Sequence, residues 1–175
     1  MNPASEAGIP LGGGIRLRPQ RPEDAAFLCR LFAESHGAAL LLVPLGEAEM
    51  RALVEHQAEL HEMALDSGVP GARRWIVERE GRPVGRLVEG PRDGGRYLAD
   101  VALLAEARGL GIGTRLVRWL QAGTAGRALT LKARRNGRAL ALYRRLGFEI
   151  VGDEGGLLVE LRWRPAGAAA KGPTA

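Results

Sequence analysis

Residues 97–113, YLADVALLAEARGLGIG, constrain the chain more than any other stretch. The first part, 97–104, is apolar apart from Asp100 and reads as a strand buried on both faces. Gly109, Gly111 and Gly113 then alternate with Leu110 and Ile112. Glycine has no Cβ, so backbone N–H groups there can approach a ligand closely. The following segment sets Leu116, Val117 and Leu120 on one helical stripe. A glycine loop that opens a helix offers free amides and the positive end of the helix dipole, which suits a phosphate.

The spacing narrows the choice of phosphate loop. A dinucleotide fingerprint needs G-x-G-x-x-G and an acidic residue about 20 positions on. Here the glycines run G-x-G-x-G, and the region after Gly126 is basic. A P-loop needs Lys-Ser or Lys-Thr after its last glycine, and this loop contains no lysine. Taken alone, Arg108-x-x-Gly111-x-Gly113 also fits a plain glycine turn ahead of an amphipathic helix. A second run, NGRALALYRRLGF at 136–148, follows at a fixed distance. Together the two resemble the GNAT N-acetyltransferase superfamily, with its Q/R-x-x-G-x-G/A loop and its N-x-x-A-x-x-L/F-Y-x-x-x-G-F helix. Asn136, Ala139, Leu142, Tyr143, Gly147 and Phe148 match the second pattern. Ala105 departs from the family, where a proline usually follows the central strand.

The resemblance implies a mixed α/β fold. It has a central, mostly antiparallel sheet of about six or seven strands, about four flanking helices, and a splay between the fourth and fifth strands. We expect one domain over 15–165, with 1–14 and 165–175 as flexible termini. Ile15 to Arg18 reads as the first strand. A helix from Glu23 or Asp24 carries Phe27, Leu28, Leu31 and Phe32 on one face. A second helix, 47–65, turns Met50, Leu53, Val54, Gln57, Leu60 and Ala64 inward. Residues 40–43 read as either loop or helix. A hairpin pairs 75–78 with 84–88. The fifth strand is 128–132. The helix from Asn136 presents Ala139, Leu142, Tyr143 and Leu146, and strands 148–151 and 157–163 close the sheet.

For chemistry, the resemblance implies acetyl transfer from acetyl-CoA to a primary amine by direct attack in a ternary complex. Pantetheine would lie in the splay against the backbone at Leu103. Amides of Gly109, Leu110, Gly111, Ile112 and Gly113 would take the pyrophosphate, with Arg108 beside them. Thr114 either contacts phosphate or sits in the first helical turn. Asn136 either bonds the pantetheine or caps its helix. Tyr143 would protonate the departing thiolate, since a phenol near pKa 10 can donate to a thiolate whose thiol is near 8.5. Asp100 is the carboxylate within the central strand and the first candidate for general base. Glu78, Glu89, His56 and His61 are lesser ones. A catalytically weak domain that binds acyl-CoA as a sensor or scaffold is the alternative.

Composition limits the remaining classes. Among 175 residues, 46% are hydrophobic and 26% charged, as in globular domains. No run approaches the ~20 apolar residues that span a bilayer, and the N-terminus lacks signal-peptide features. A cytoplasmic protein without membrane attachment is expected. The net charge of +5 suits a polyanionic ligand. Aromatic residues are only 5%, too few for the stacking that single-stranded nucleic acids need, so no nucleic-acid partner is expected. Cys29 is the single cysteine and falls on an apolar helical stripe. Its solitude excludes a disulfide or cysteine cluster within the chain. His56 and His61, five apart, do not share a helix face, so no metal is expected. The acceptor is a small-molecule or peptide amine, and the protein is a monomer or homodimer.

Overall fold

The computed structural model describes residues 8–36, 44–153 and 155–166. One sheet of eight strands organises them: β1 (Ile9–Gly12), β2 (Ile15–Pro19), β3 (Arg73–Arg79), β4 (Arg82–Arg92), β5 (Gly95–Leu103), β6 (Leu129–Arg134), β7 (Glu149–Gly152) and β8 (Leu158–Trp163). They lie in the order β1-β2-β3-β4-β5-β6-β8-β7. The β5–β6 pair is parallel, and the others are antiparallel. Four helices complete the fold: α1 (Ala25–His36), α2 (Glu47–Gly68), α3 (Ile112–Ala122) and α4 (Arg138–Arg145).

The mixed sheet and the four helices are those expected, with one strand more. Ile9–Gly12, assigned from sequence to a flexible terminus, forms edge strand β1. Ile9 and Leu11 pack against the core, and Arg115 donates to the Leu11 carbonyl at 3.2 Å. Pro10 hid this strand from a sequence reading, yet an edge position tolerates the missing amide. The outer termini, 1–7 and 167–175, and the ambiguous run at 40–43 lie outside the described residues.

Two tight turns register the centre of the sheet. Glu80-Gly81 joins β3 to β4 and Asp93-Gly94 joins β4 to β5. All four residues have positive φ, at 51°, 77°, 50° and 71°. That geometry matches the right-handed twist of the strands it connects.

Side-chain alternation splits the core between the two faces. Leu17, Val77, Leu87 and Leu98 meet Leu116, Val117 and Leu120 of α3 and Leu140 and Tyr143 of α4. On the other face Ala102 and Leu104 meet Leu31 of α1. Burying each large side chain contributes roughly 1.5–3 kcal/mol, so the α3 face carries most of the stabilisation. The α1–α2 face is thin and polar by comparison.

Two helix faces differ from expectation. In α4 the buried positions are Leu140 and Tyr143, while Ala139 is exposed. Gly137, one residue past Asn136, is the N-cap. In α2, Leu60 and Ala64 point outward and Leu65 is buried. The half-buried His61 and Glu62 turn toward the sheet instead, because β4 and β5 offer charged partners there.

Candidate active site

Strands β5 and β6 pair at three positions only: Arg96 with Leu129, Tyr97 with Thr130, and Leu98 with Leu131. They then diverge, leaving the facing backbone edges of 99–103 and 132–134 unpaired with each other. The gap is a cavity of about 440 Å³ between the two strands, floored by Gly137, Ala139 and Tyr143 and edged by Ser35, His36 and Arg108. This is the splay expected between the fourth and fifth strands, renumbered because β1 adds a strand. Diverging edges of this kind can hydrogen-bond an extended ligand as a sheet bonds a strand.

The glycine loop leads from this gap into α3. After β5, residues Ala105–Ala107 make a single 3-10 turn. Gly109 and Gly111 have φ of 78° and 77°, and Gly111 is the N-cap of α3. Arg115 is the first residue whose amide finds a helical carbonyl, that of Gly111 at 3.2 Å. The amides of Ile112, Gly113 and Thr114 therefore stand at the positive end of the helix without intrahelical acceptors. No acidic side chain lies in that first turn. Ile112 is buried and anchors the turn, while Leu110 is half exposed. A Cβ on Gly113 would come within 3.2 Å of the Leu142 side chain, so α4 packs close against this turn.

Other site residues stand where the sequence did not put them. Arg108 folds back, away from the helix amides. Its Nε donates to the Leu103 carbonyl at 2.8 Å and another of its nitrogens to the Glu34 carbonyl at 3.3 Å. It thus bars the mouth of the gap at the very carbonyl expected to meet pantetheine. Asn136 lies in a neighbouring recess of about 230 Å³ with Arg134, Arg135 and Leu157. It neither caps α4 nor lines the gap.

Tyr143 does line it. The ring is buried, edge-on to Phe148 at 5.6 Å. Burial, aided by the charge of Asp100, pushes its phenol up to about 12. The hydroxyl therefore holds its proton at any working pH. It donates a hydrogen bond to a thiolate readily, but full transfer to a group near 8.5 is uphill.

Asp100 is bound into an ion network. Arg86, 4% exposed, donates from Nε to Asp100 Oδ2 at 2.7 Å and also pairs with Glu62. Glu62 in turn accepts from Arg74. The imidazole of His61 stands 3.8 Å from Asp100, beyond hydrogen-bond range. Burial opposes the charge on Asp100, but His61 and Arg86 together outweigh it and hold the carboxyl down at about 2. A carboxylate that reluctant to bind a proton is a poor general base at neutral pH. Its charge serves the pairing with Arg86. The lesser candidates fare no better. Glu78 is paired with Arg18 at 2.7 Å, and fully buried Glu89 is paired with Arg73 and Arg96. His56 is exposed on α2.

Sequence reasoning passed over Arg86 and His36. An arginine inside the apolar run Val84-Gly-Arg-Leu-Val was a legible sign of a buried partner. His36 carried no such sign, because only the fold brings the end of α1 to the gap. A second groove of about 470 Å³ separates α1 from α2, lined by Leu28, Phe32 and Ala58 with Glu55 and Glu59. Cys29 lines it too. Burial and Glu55 push its thiol up, which does not suit a nucleophile.

Comparison with known proteins accords with this geometry. Residues 70–150 match the family model described as "Acetyltransferase (GNAT) domain". The chain is similar in structure to an acetyltransferase from Thermus thermophilus, with 25% identity and a TM-score of 0.63 over 86% of this chain and 96% of that one. It is similar in fold to a PaiA N-acetyltransferase from Thermoplasma acidophilum in complex with coenzyme A, at 15% identity and TM-score 0.62, covering 86% and 98% of the two chains. It is likewise similar in fold to RimL, a ribosomal L7/L12 alpha-N-protein acetyltransferase in complex with coenzyme A, at 17% identity and TM-score 0.63, covering 90% and 97%. No curated protein sequence matches the chain. Among the described residues, no helix is long and apolar enough to cross a membrane.

Proposed function

We propose that the chain, whose residues 70–150 match the acetyltransferase (GNAT) domain, transfers an acetyl group from acetyl-CoA to a primary amine bound in the same complex. The observation that carries the reading is the gap between β5 and β6, with Tyr143 inside it and the unpaired amides of α3 beside it. Acetyl-CoA supplies an activated acyl group as a thioester.

The chain's own groups fit that molecule. The diverging edge at 99–103 and Leu103 hydrogen-bond an extended arm. The amides of Gly109, Leu110, Gly111, Ile112, Gly113 and Thr114 hold phosphate oxygens. The buried Ser35 hydroxyl lines the gap and has no hydrogen-bond partner among the described residues, so a polar ligand there would satisfy it. Arg108, at the mouth, exchanges its backbone acceptors for the phosphates. Tyr143 hydrogen-bonds the departing sulfur. Asp100 stays ionised and holds Arg86 and His61 in place, with no proton transfer of its own. The acceptor enters from the α1–α2 side, where Glu55 and Glu59 favour a cationic amine. Asn136 stands apart from the gap.

The experiment is thiol release from acetyl-CoA in the presence of a panel of amines: a diamine, an amino acid, and a peptide with a free N-terminus. Amine-dependent release with an N-acetylated product supports transfer. Tight acetyl-CoA binding with no release for any amine points to the sensor reading. Tighter binding of NAD than of acetyl-CoA overturns the assignment.

A further inference from the structure

We propose that His36 is the general base that takes the proton from the acceptor amine. This rests on the acetyl-transfer reading above. His36 is the last residue of α1, and its side chain edges the same cavity as Tyr143. The base and the sulfur-side donor thus face one space from different elements.

The imidazole is held from two sides. It stacks on Phe32, one helical turn earlier, at 4.7 Å and 15° between planes. The ring of His61 lies 5.1 Å away. The end of α1 is itself tied to the loop after β5. The Ala105 amide donates to the Glu34 carboxylate at 3.1 Å, and Arg108 donates to the Glu34 carbonyl. The first of these bonds exists because residue 105 is not proline, which has no N–H. The Ala105 amide thus ties the end of α1, two residues before His36, to the loop after β5.

Several charged and titratable groups act on the imidazole from the packed elements. They are His61 on α2, Arg86 on β4, Asp100 on β5 and Arg134 on β6, while Arg108 and Tyr143 line the same cavity and Glu62 pairs with Arg86. Burial, His61 and the two arginines Arg86 and Arg134 lower its pKa below the usual 6.5, against the opposing pull of Asp100. His36 is therefore neutral, and able to accept a proton, at neutral pH.

The step balances without any further reagent. The amine lone pair forms the C–N bond as the C–S bond breaks, and sulfur departs with that electron pair. One His36 ring nitrogen takes the proton that the amine nitrogen sheds. The thiolate is stabilised by the Tyr143 hydroxyl and ends as thiol with one proton, and His36 returns its own to solvent. The net products are an amide and coenzyme A.

The test uses the full chain, the best amine of the panel above, and three readouts: kcat/KM against pH, acetyl-CoA affinity by calorimetry, and the His36 titration by NMR. In His36→Gln, kcat/KM should fall by ~10²–10⁴-fold and the acid limb of the profile should vanish, with acetyl-CoA affinity within about twofold. Added imidazole should restore part of the rate in His36→Ala. In the wild type, the NMR midpoint of His36 should coincide with that limb, below 6.5. A His36→Gln variant that keeps its rate and its acid limb overturns the proposal and leaves the acetyl-transfer reading standing. A wild type that binds acetyl-CoA yet acetylates no amine overturns both.

Discussion

Replacing Asp100 by Asn tests the view that this carboxylate is a structural charge and not a base. The amide keeps the size of the side chain and removes its charge. In the folded protein burial works against the charge, yet His61 and Arg86 together hold the carboxyl at about 2 against an ordinary 3.8. A difference of nearly two pKa units corresponds to about 2 kcal/mol of folding stability at pH 7. The sign follows from the depressed pKa. The contribution is complete above the unfolded value of 3.8 and is lost as pH falls through 2. Asp100→Asn should therefore unfold roughly 5–10 °C lower at pH 7, for a domain of this size. Its deficit in urea-determined stability should shrink to about half by about pH 3. Because Asp100 raises the pKa of His36, the acid limb of turnover should move to lower pH and not disappear. Equal stability at pH 7, or a deficit unchanged at about pH 3, refutes the electrostatic account. Complete loss of the acid limb would return Asp100 to the role of base.

Three other substitutions probe separate links of the argument. Tyr143→Phe keeps the ring packed against Phe148 and removes the hydroxyl. Turnover should drop by ~10²–10³-fold, as for loss of a donor to developing negative charge, with acetyl-CoA affinity unchanged by calorimetry. Gly111→Val forces a β-branched residue to φ near 77°, which costs about 1–3 kcal/mol. The strain falls on the turn that presents the α3 amides, so binding of acetyl-CoA should be lost while circular dichroism still reports a folded chain. Ala105→Pro deletes the bond to Glu34. The rate should fall and the NMR midpoint of His36 should shift, and His36→Gln should then add little further loss.

The fold was legible largely because local signals agreed. The apolar 97–104 strand, the two-residue turns at Glu80-Gly81 and Asp93-Gly94, and the stripe of Leu116, Val117 and Leu120 each fix an element on their own. Strand β1 was not legible, since four residues with a central proline carry no periodic signal. The phosphate loop could be found because its glycines sit in one continuous stretch. Tyr143 was read from its run at 136–148, whereas His36 was not, for the gap it edges is assembled from several elements. Asp100 looked like a base because a lone acid in an apolar strand demands a role. Its partner Arg86 lies 14 residues earlier, on a strand whose register with β5 only the folded sheet reveals. The end of α1 that carries His36 is bonded to the loop after β5 through Glu34 and Ala105, 71 residues apart.

The central claim is that the β5–β6 gap and the α3 amides hold acetyl-CoA, and amide hydrogen exchange with and without acetyl-CoA measures this directly. The account predicts slower exchange at 99–103 on β5 and at 110–114 on the glycine loop, with no change at edge strands β1 and β7. Binding without protection at either segment, or protection centred on the α1–α2 groove, would contradict it.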